Sequence, residues 1–409
     1  MKSLLVMKFG GSSLADVERI ERVADIVLQR VRSGHAVVVV VSAMGKTTDT
    51  LIAQAHRIAS SPNLREMDML LTAGERISAA LLTIALNARG TRAVSLTGSQ
   101  AGIITDDNHT NARIIEVRPY RVLQALEGGC IVVVGGFQGV SFTKEVTTLG
   151  RGGSDTTAVA LASALDAKEC EIYSDVAGVF DADPRLVPEP KRIPMLGYQE
   201  MQELAEAGAK VLHPKAVEFA KLKGTVIHCK STFAPEAEGT IIANLEGRIK
   251  PRIVGIATEE KVILVHVYEE CPDTLATVED VVAFTEERAL KVKQVSFHCA
   301  HNGGMVGSVI IPEKENYHLA QVLEEMKSRF GTAVDVHGGL SALSLVGAGI
   351  TERHDILLNA IRLLKEHRIG AVSFHTSSFR ISILVKREFF AEAARLLHDH
   401  FLRGEDGIS

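Results

Sequence analysis

The stretch "LGRGGSDTTAVALA", Leu149 to Ala162, sets an Arg, three Gly, a Ser, an Asp and two Thr ahead of a run that turns abruptly small and apolar. Glycines at 150, 152 and 153 let a backbone approach a ligand closely, and the apolar run reads as a buried helix whose first free N–H groups favour an anion. Arg151 can grip a carboxylate through two parallel hydrogen bonds, which Lys cannot do. Asp155 either caps the helix or organises cations beside it. "KFGGSS", Lys8 to Ser13, repeats the design: Gly10 and Gly11 follow a short apolar strand, a helix starts near Asp16, and Lys8 stands ready to neutralise a phosphate. Two such loops in one sheet point to a site built for anions.

The chain around these loops alternates short β-branched runs with helical patterns from Leu4 to Ser231. Val17, Ile20, Val23, Val27 and Val31 form one stripe of a helix over Asp16 to Arg32, and "AVVVVV" (Ala36 to Val41) follows it. Neither that run nor "CIVVV" (Cys130 to Val134) alternates with polar residues, so both strands are expected to be covered on two faces, as in a parallel sheet between helix layers. Ligands in such sheets gather at the carboxyl ends of the strands. The turns "GGSS" after Phe9, "SAMG" after Val41 and "GGFQG" after Val134 are therefore expected to converge. "GKT" at Gly45 to Thr47 looks like the tail of a Walker loop, but that loop needs Gly at position 40, which is Val.

Past Thr240 the order changes to strand, helix, strand, strand, helix, and the pattern repeats. "VSFHCA" at Val295 and "VSFHTS" at Val372 share four residues 77 positions apart, at equivalent places in two βαββαβ patterns. That spacing implies duplicated small domains rather than a solenoid. The boundary is expected between Asn244 and Arg252, where "NLEGRIKPR" is polar with Gly and Pro.

Composition narrows the function. At about 150 residues per domain, 409 residues make two or three domains. Hydrophobic residues at 46% and charged residues at 23% match soluble globular chains. A net charge of -5 without a basic block argues against nucleic acid as a partner. Cys130, Cys170, Cys229, Cys271 and Cys299 are scattered, never two residues apart, and read as buried free thiols. "MKSLLVMKFGG" reaches Lys8 too soon for a signal-peptide core, and no later segment reads as a membrane span, so a cytoplasmic protein without a membrane partner is expected.

Six segments, "KFGGSS", "VSAMGKTTD", "TAGERISAALL", "LGRGGSDTTA", "YSDVAGVFDADPR" and "GAKVLHPKAVE", occur together and in order across residues 1 to about 245. In this combination the chain resembles the aspartate kinase family, and its C-terminal duplication is similar to that family's paired ACT domains. The resemblance implies an α/β fold: an amino-acid-kinase-type, parallel-rich sheet sandwiched by helices over 1–245, then two ferredoxin-like βαββαβ (ACT-like) domains over 246–340 and 341–409, with strands exchangeable between them. It implies ATP and Mg2+ as cofactors, L-aspartate as substrate, lysine or threonine as effector, and a homodimer or dimer of dimers.

By resemblance Lys8 contacts the transferred phosphoryl group and Asp155 holds that lysine in place. Phe9, Gly10, Gly11, Ser12 and Ser13 supply the anion-binding turn, with Ser42 near the terminal phosphate. Thr47 or Thr48 touches aspartate, and Glu75 faces its amino group; read from the residues alone, Glu75 could instead be an exposed helix residue beginning a capping turn. Arg151, Gly152, Gly153 and Ser154 hold the substrate carboxylate. Ser174, Asp175, Phe180, Arg185 and Lys210 match nucleotide-contacting positions, with Phe180 where relatives often carry Tyr. His213, before a Pro at a helix start, reads as a capping or packing residue.

Two departures concern regulation: "ECPDTLATV" and "GITERHDIL" replace the Pro-Gly turn usual before the first ACT helix, which removes a close backbone approach for an effector. Two other readings of the chain are another small-acid kinase of the same fold and a catalytically silent amino-acid sensor. The presence together of Lys8, Arg151 and Asp155 favours a working enzyme.

Overall fold

The computed structural model describes residues 3–209, 211–245, 252–270, 275–288, 290–299, 303–316, 319–352 and 354–403. The chain divides into two compact units. The first comprises Met1–Phe180, Lys191–Ala205 and Lys210–Ile249; the second comprises Asp181–Pro190, Glu206–Ala209 and Lys250–Ser409. Most of the expected boundary segment, residues 246–251, lies outside the described residues.

The strands of the first unit are β1 (Ser3–Phe9), β2 (His35–Val41), β3 (Ala93–Leu96), β4 (Ile103–Thr105), β5 (Ile114–Val117), β6 (Ile131–Gly135), β7 (Gln138–Ser141), β8 (Val146–Thr148), β9 (Glu169–Ser174), β10 (Met195–Gly197), β11 (Val226–Ser231) and β12 (Thr240–Ala243). Eight of them form one sheet in the order β10-β12-β11-β9-β1-β2-β6-β3, parallel throughout except where β11 meets β12. The other four make a small sheet, β5-β4-β7-β8. Val37 to Val41 and Ile131 to Val134 are all buried, as continuous apolar strands require when helices cover both faces.

Strand alternation decides which chemistry goes where. Leu5, Met7 and Phe9 of β1 point into one core with the helices Val17–Arg32 and Leu64–Ala88. Lys8, being of opposite parity, emerges on the other face, where the helix Gly153–Ala164 packs over β1 and β2. That helix buries residues all the way round its first three turns, which explains its small side chains.

One helix bears on the expectation that no segment spans a membrane. The helix Leu64–Ala88 is long and apolar enough to cross a membrane by length and composition. Its Met67, Leu71, Ala79, Leu82 and Leu86 are core residues, and it carries buried Asp68 and Glu75, so its apolarity here serves packing inside the unit.

The second unit contains a six-stranded antiparallel sheet in the order β14-β15-β13-β16-β18-β17, built from β13 (Gly255–Glu269), β14 (Gln294–Cys299), β15 (Met305–Pro312), β16 (Val334–Val346), β17 (Ala371–Ser377) and β18 (Arg380–Lys386). The two long strands do double duty across a bulge near Glu259 to Val262. Val262 to Glu269 of β13 pairs with β15, and Gly255 to Glu259 pairs with Ala342 to Val346 of β16, whose other side carries β18. Each ferredoxin-like half thus takes one strand segment from a strand that also serves the other. The duplicated "VSFH" segments lie on β14 and β17, the two edges of the sheet.

Asp181–Pro190 belongs with this second unit for physical reasons. Asp181 Oδ1 lies 3.2 Å from Nε2 of fully buried His398, its carbonyl accepts from Ile256 N at 2.7 Å, and Leu186 packs on the core of the helices His354–Glu366 and Phe390–His398. Cys130, Cys170, Cys229 and Cys299 are free thiols, but only Cys170 and Cys229 are buried as expected: Cys130 is half-buried, and Cys299 is exposed on the edge strand β14; Cys271 lies outside the described residues.

Candidate active site

The carboxyl ends of β1, β2 and β6 and the amino end of the helix Gly153–Ala164 meet in the first unit. Lys8 Nζ lies 2.6 Å from Asp155 Oδ1, with both side chains nearly buried. Gly10 opens the space in front of this pair: a Cβ there would sit 3.6 Å from Lys8 Nζ. A Cβ on Gly11 would come within 2.8 Å of the Ala43 carbonyl, so the first turn can fold against the second only without a side chain. Backbone bonds lock the two turns, Ser42 N to Phe9 O at 3.1 Å and Gly45 N to Gly11 O at 3.0 Å. The third turn is equally close, because a Cβ on Gly136 would lie 2.9 Å from the Ser154 Cβ. The expected convergence of Gly-rich turns is present.

Within the first turn the side chains divide. Phe9 stacks on Tyr173 at 4.7 Å in the core, and Ser13 is fully buried with its hydroxyl 2.6 Å from Thr232 Oγ1, so both offer backbone rather than side chain. The Ser12 carbonyl accepts from Arg19 Nη1 at 2.6 Å.

Glu75 enters from the helix Leu64–Ala88. Its Oε1 accepts from Ala43 N at 3.1 Å, whereas Oε2 is buried with no hydrogen-bond partner among the described residues. Burial pushes its carboxyl up to about 7, against the opposing pull of the Ala43 amide. A carboxylate kept dry and half-satisfied is suited to a cationic ligand. The capping alternative fails, since Glu75 lies deep inside the helix and Asn63 caps it. Thr47 donates its hydroxyl to Met44 O at 2.7 Å, and its methyl faces Gly74; the Thr48 hydroxyl makes no hydrogen bond among the described residues.

The loop Gly150 to Ser154 leads into its helix through left-handed Gly150 and Gly152. Arg151 is exposed and Ser154 buried. His213 packs directly on this loop, caps the helix Pro214–Lys223 by accepting from Lys215 N at 3.3 Å, and donates its own N–H to Asp155 Oδ2 at 3.3 Å. It is a capping and packing residue. A Cβ on Gly152 would fall 2.1 Å from the His213 Cγ, at φ +68°. Gly152→Ala is therefore expected to lower the unfolding free energy by about 2 kcal/mol or more, read from the urea midpoint, and to raise the KM for the acid substrate. An unshifted midpoint contradicts this packing.

The remaining residues are spread more widely. Ser174 ends β9, with its hydroxyl against Val176 and its carbonyl accepting from Thr232 N at 2.9 Å; Asp175 beside it is exposed. Phe180 is half-buried and bridges to Arg192. Arg185 lies on Asp181–Pro190, in the second unit, with its guanidinium on Asp183 at 2.5 Å. Lys210 lies outside the described residues. Reading by sequence missed the Ala43 amide, which no side-chain motif marks, and the contact of His213 with Gly152, which spans two distant segments.

The amino acid kinase family matches residues 3–231. An aspartokinase from Geobacillus stearothermophilus is 41% identical over 99% of this chain and 99% of its own length. The chain belongs to the aspartokinases. E. coli aspartokinase III in complex with aspartate and ADP (R-state) superposes with a TM-score of 0.82 at 23% identity, covering 98% of this chain and 100% of that one. The same E. coli aspartokinase in complex with lysine and aspartate (T-state) gives a TM-score of 0.75 at 24% identity, over 98% and 99%. These likenesses establish that the aspartokinase fold runs through both units.

Proposed function

We propose that this chain transfers the terminal phosphoryl group of ATP to the side-chain carboxylate of L-aspartate, forming 4-phospho-L-aspartate, the first step towards lysine, threonine and methionine. The observation that carries the reading is the Lys8–Asp155 pair at 2.6 Å under glycine turns, in the same unit as a dry carboxylate on Glu75. The acceptor carboxylate, with an ordinary pKa of about 4, is already ionised at neutral pH and requires no general base. The obstacle is repulsion: like unit charges 4 Å apart cost about 4 kcal/mol at an effective dielectric of about 20, worth roughly a thousandfold in rate. Lys8 offsets that charge on the transferred group, and Asp155 aims Lys8.

Gly10, Gly11 and Ser12, with Ser42, cradle the phosphates, and Phe9 and Ser13 support the turn from below. Arg151, Gly152, Gly153 and Ser154 hold the α-carboxylate, Glu75 takes the ammonium, and Thr48, whose hydroxyl is uncommitted, contacts aspartate beside Thr47. Ser174, Asp175 and Phe180 contact the nucleotide. Mg2+ suits this donor set, since it is commonly held by one or two carboxylates together with phosphate oxygens; Asp155 Oδ2, which among the described residues accepts only a 3.3 Å bond from His213 N, would be the carboxylate oxygen to hold it, and the ion would offset phosphate charge.

The second unit is proposed to dimerise the chain and to bind lysine or threonine, as E. coli aspartokinase III binds lysine. Residues 271–274 of the first altered turn and residue 353 of the second lie outside the described residues. The protein is assigned to the cytoplasm.

The test is hydroxamate formation. Protein incubated with MgATP, hydroxylamine and L-aspartate is expected to yield aspartyl hydroxamate, with no signal from acetylglutamate. Signal from acetylglutamate and none from aspartate overturns the reading in favour of another small-acid kinase; no signal from any acid favours a silent sensor.

A further inference from the structure

Asp68 lies two turns before Glu75 on the helix Leu64–Ala88 and is fully buried. Nothing in the chemistry above uses it, yet its carboxylate gathers donors from two distant segments. Thr148 Oγ1 donates to Oδ1 at 2.5 Å, His109 Nδ1 lies 2.6 Å from Oδ2, and Thr110 N reaches both oxygens at 3.0 and 3.1 Å. Thr110 is held with a left-handed φ of 65°, which a β-branched residue adopts only when its surroundings impose it. Thr148 ends β8, two residues before Gly150 and three before Arg151. The two segments are also tied directly, because Ala112 N donates to Thr148 O at 2.8 Å. A Cβ on left-handed Gly150 would lie 3.0 Å from Asn111 Oδ1, which in turn accepts from Lys215 Nζ at 2.8 Å. The start of the Arg151 loop is thus knotted to residues 109–112, and the knot is fastened to Asp68.

We infer that Asp68 is a positioning residue that fixes where the Arg151 loop begins relative to Glu75, so that one helix sets the separation between the group that takes the substrate's ammonium and the loop that takes its carboxylate. The inference rests on the proposed roles of Glu75 and Arg151. Seven residues of helix span about 10 Å, and a rigid helix holds that distance better than a loop can. Selectivity between aspartate and its one-methylene homologue glutamate then depends on Asp68, which touches neither.

The test uses the full chain. Asp68→Asn keeps the shape but turns an amide nitrogen towards at least one of three donors. It is expected to raise the KM for aspartate about 10- to 100-fold, to leave kcat and the KM for MgATP within about threefold, and to narrow the preference for aspartate over glutamate. Combined with Arg151→Ala it should add almost nothing, because both changes remove the same anchored loop. His109→Asn, whose amide can occupy the Nδ1 position, should behave like the unaltered enzyme, whereas His109→Ala should raise the aspartate KM. If Asp68→Asn does not fold, Thr148→Val and His109→Ala carry the same expectation. A folded Asp68→Asn with unchanged aspartate KM, or full additivity with Arg151→Ala, overturns the inference. Should Arg151→Ala raise the aspartate KM while Asp68→Asn does not, only this inference fails; absence of aspartyl hydroxamate from the unaltered protein takes the functional reading with it.

Discussion

Lys8→Ala is expected to lower turnover about a thousandfold while the KM for aspartate stays within about threefold, because the ammonium is needed most when charge crowds between donor and acceptor oxygens. The magnitude follows from the repulsion of about 4 kcal/mol that the cation offsets. Substitution also leaves Asp155, only 8% exposed, without its partner 2.6 Å away, and an uncompensated buried carboxylate costs about 3 kcal/mol. The measurement therefore pairs steady-state kinetics with thermal unfolding. Loss of turnover in a chain that still melts cooperatively and still binds ADP supports the role; equal losses in turnover and aspartate affinity count against it.

The second large effect concerns Glu75→Gln, where activity and stability should move in opposite directions. Burial raises the folded carboxyl from its ordinary value of about 4.5 to about 7, so between those values the native state binds more protons than the unfolded chain. Stability accordingly falls as pH rises from about 4.5 to about 7, and above pH 7 the folded protein carries a standing penalty of about 3 kcal/mol. Glutamine removes that penalty, so the variant should unfold at higher urea than the parent at pH 8 and show a smaller gain at pH 5. It also removes the charge proposed to meet the substrate ammonium, and the aspartate KM should rise about a hundredfold. In the unaltered enzyme the aspartate KM should rise as pH drops below about 7, and the variant should lose that dependence. A variant with unchanged KM and no gain at pH 8 would show that Glu75 is an ordinary buried acid.

What the chain disclosed before folding was chiefly local. Lys8, Gly10 and Gly11, or Arg151 to Asp155, are each contained within one strand-turn or turn-helix segment, so composition and spacing reveal them directly. The convergence of three glycine turns was legible because parallel strands bring their carboxyl ends to one edge. Glu75 was legible as a residue through family resemblance, but its dry environment was not, since that depends on the Ala43 amide and on Gly135, whose Cβ position lies 3.5 Å from the Glu75 Cβ. The Asp68 knot joins positions 41, 42 and 80 residues apart and carries no period that a pattern could follow. The apolarity of Leu64–Ala88 is ambiguous by itself, because hydropathy measures what a helix avoids without saying whether lipid or protein shields it. Likewise Asp181–Pro190 reads as part of the catalytic stretch, yet a buried imidazole more than two hundred residues later claims it.

The shared strands of the second unit carry a consequence for engineering and for descent. Because Gly255 to Glu259 completes one half and Val262 to Glu269 opens the other, neither duplicate is a detachable bead. Cutting the gene after β16 would not free an independent sensor; it would strip β18 from the flank of β16 and leave a raw, adhesive margin. Evolution could retune the two copies separately in the outer pairs, β14 with β15 and β17 with β18, whereas any change along the common spine of β13 and β16 is inherited by both at once.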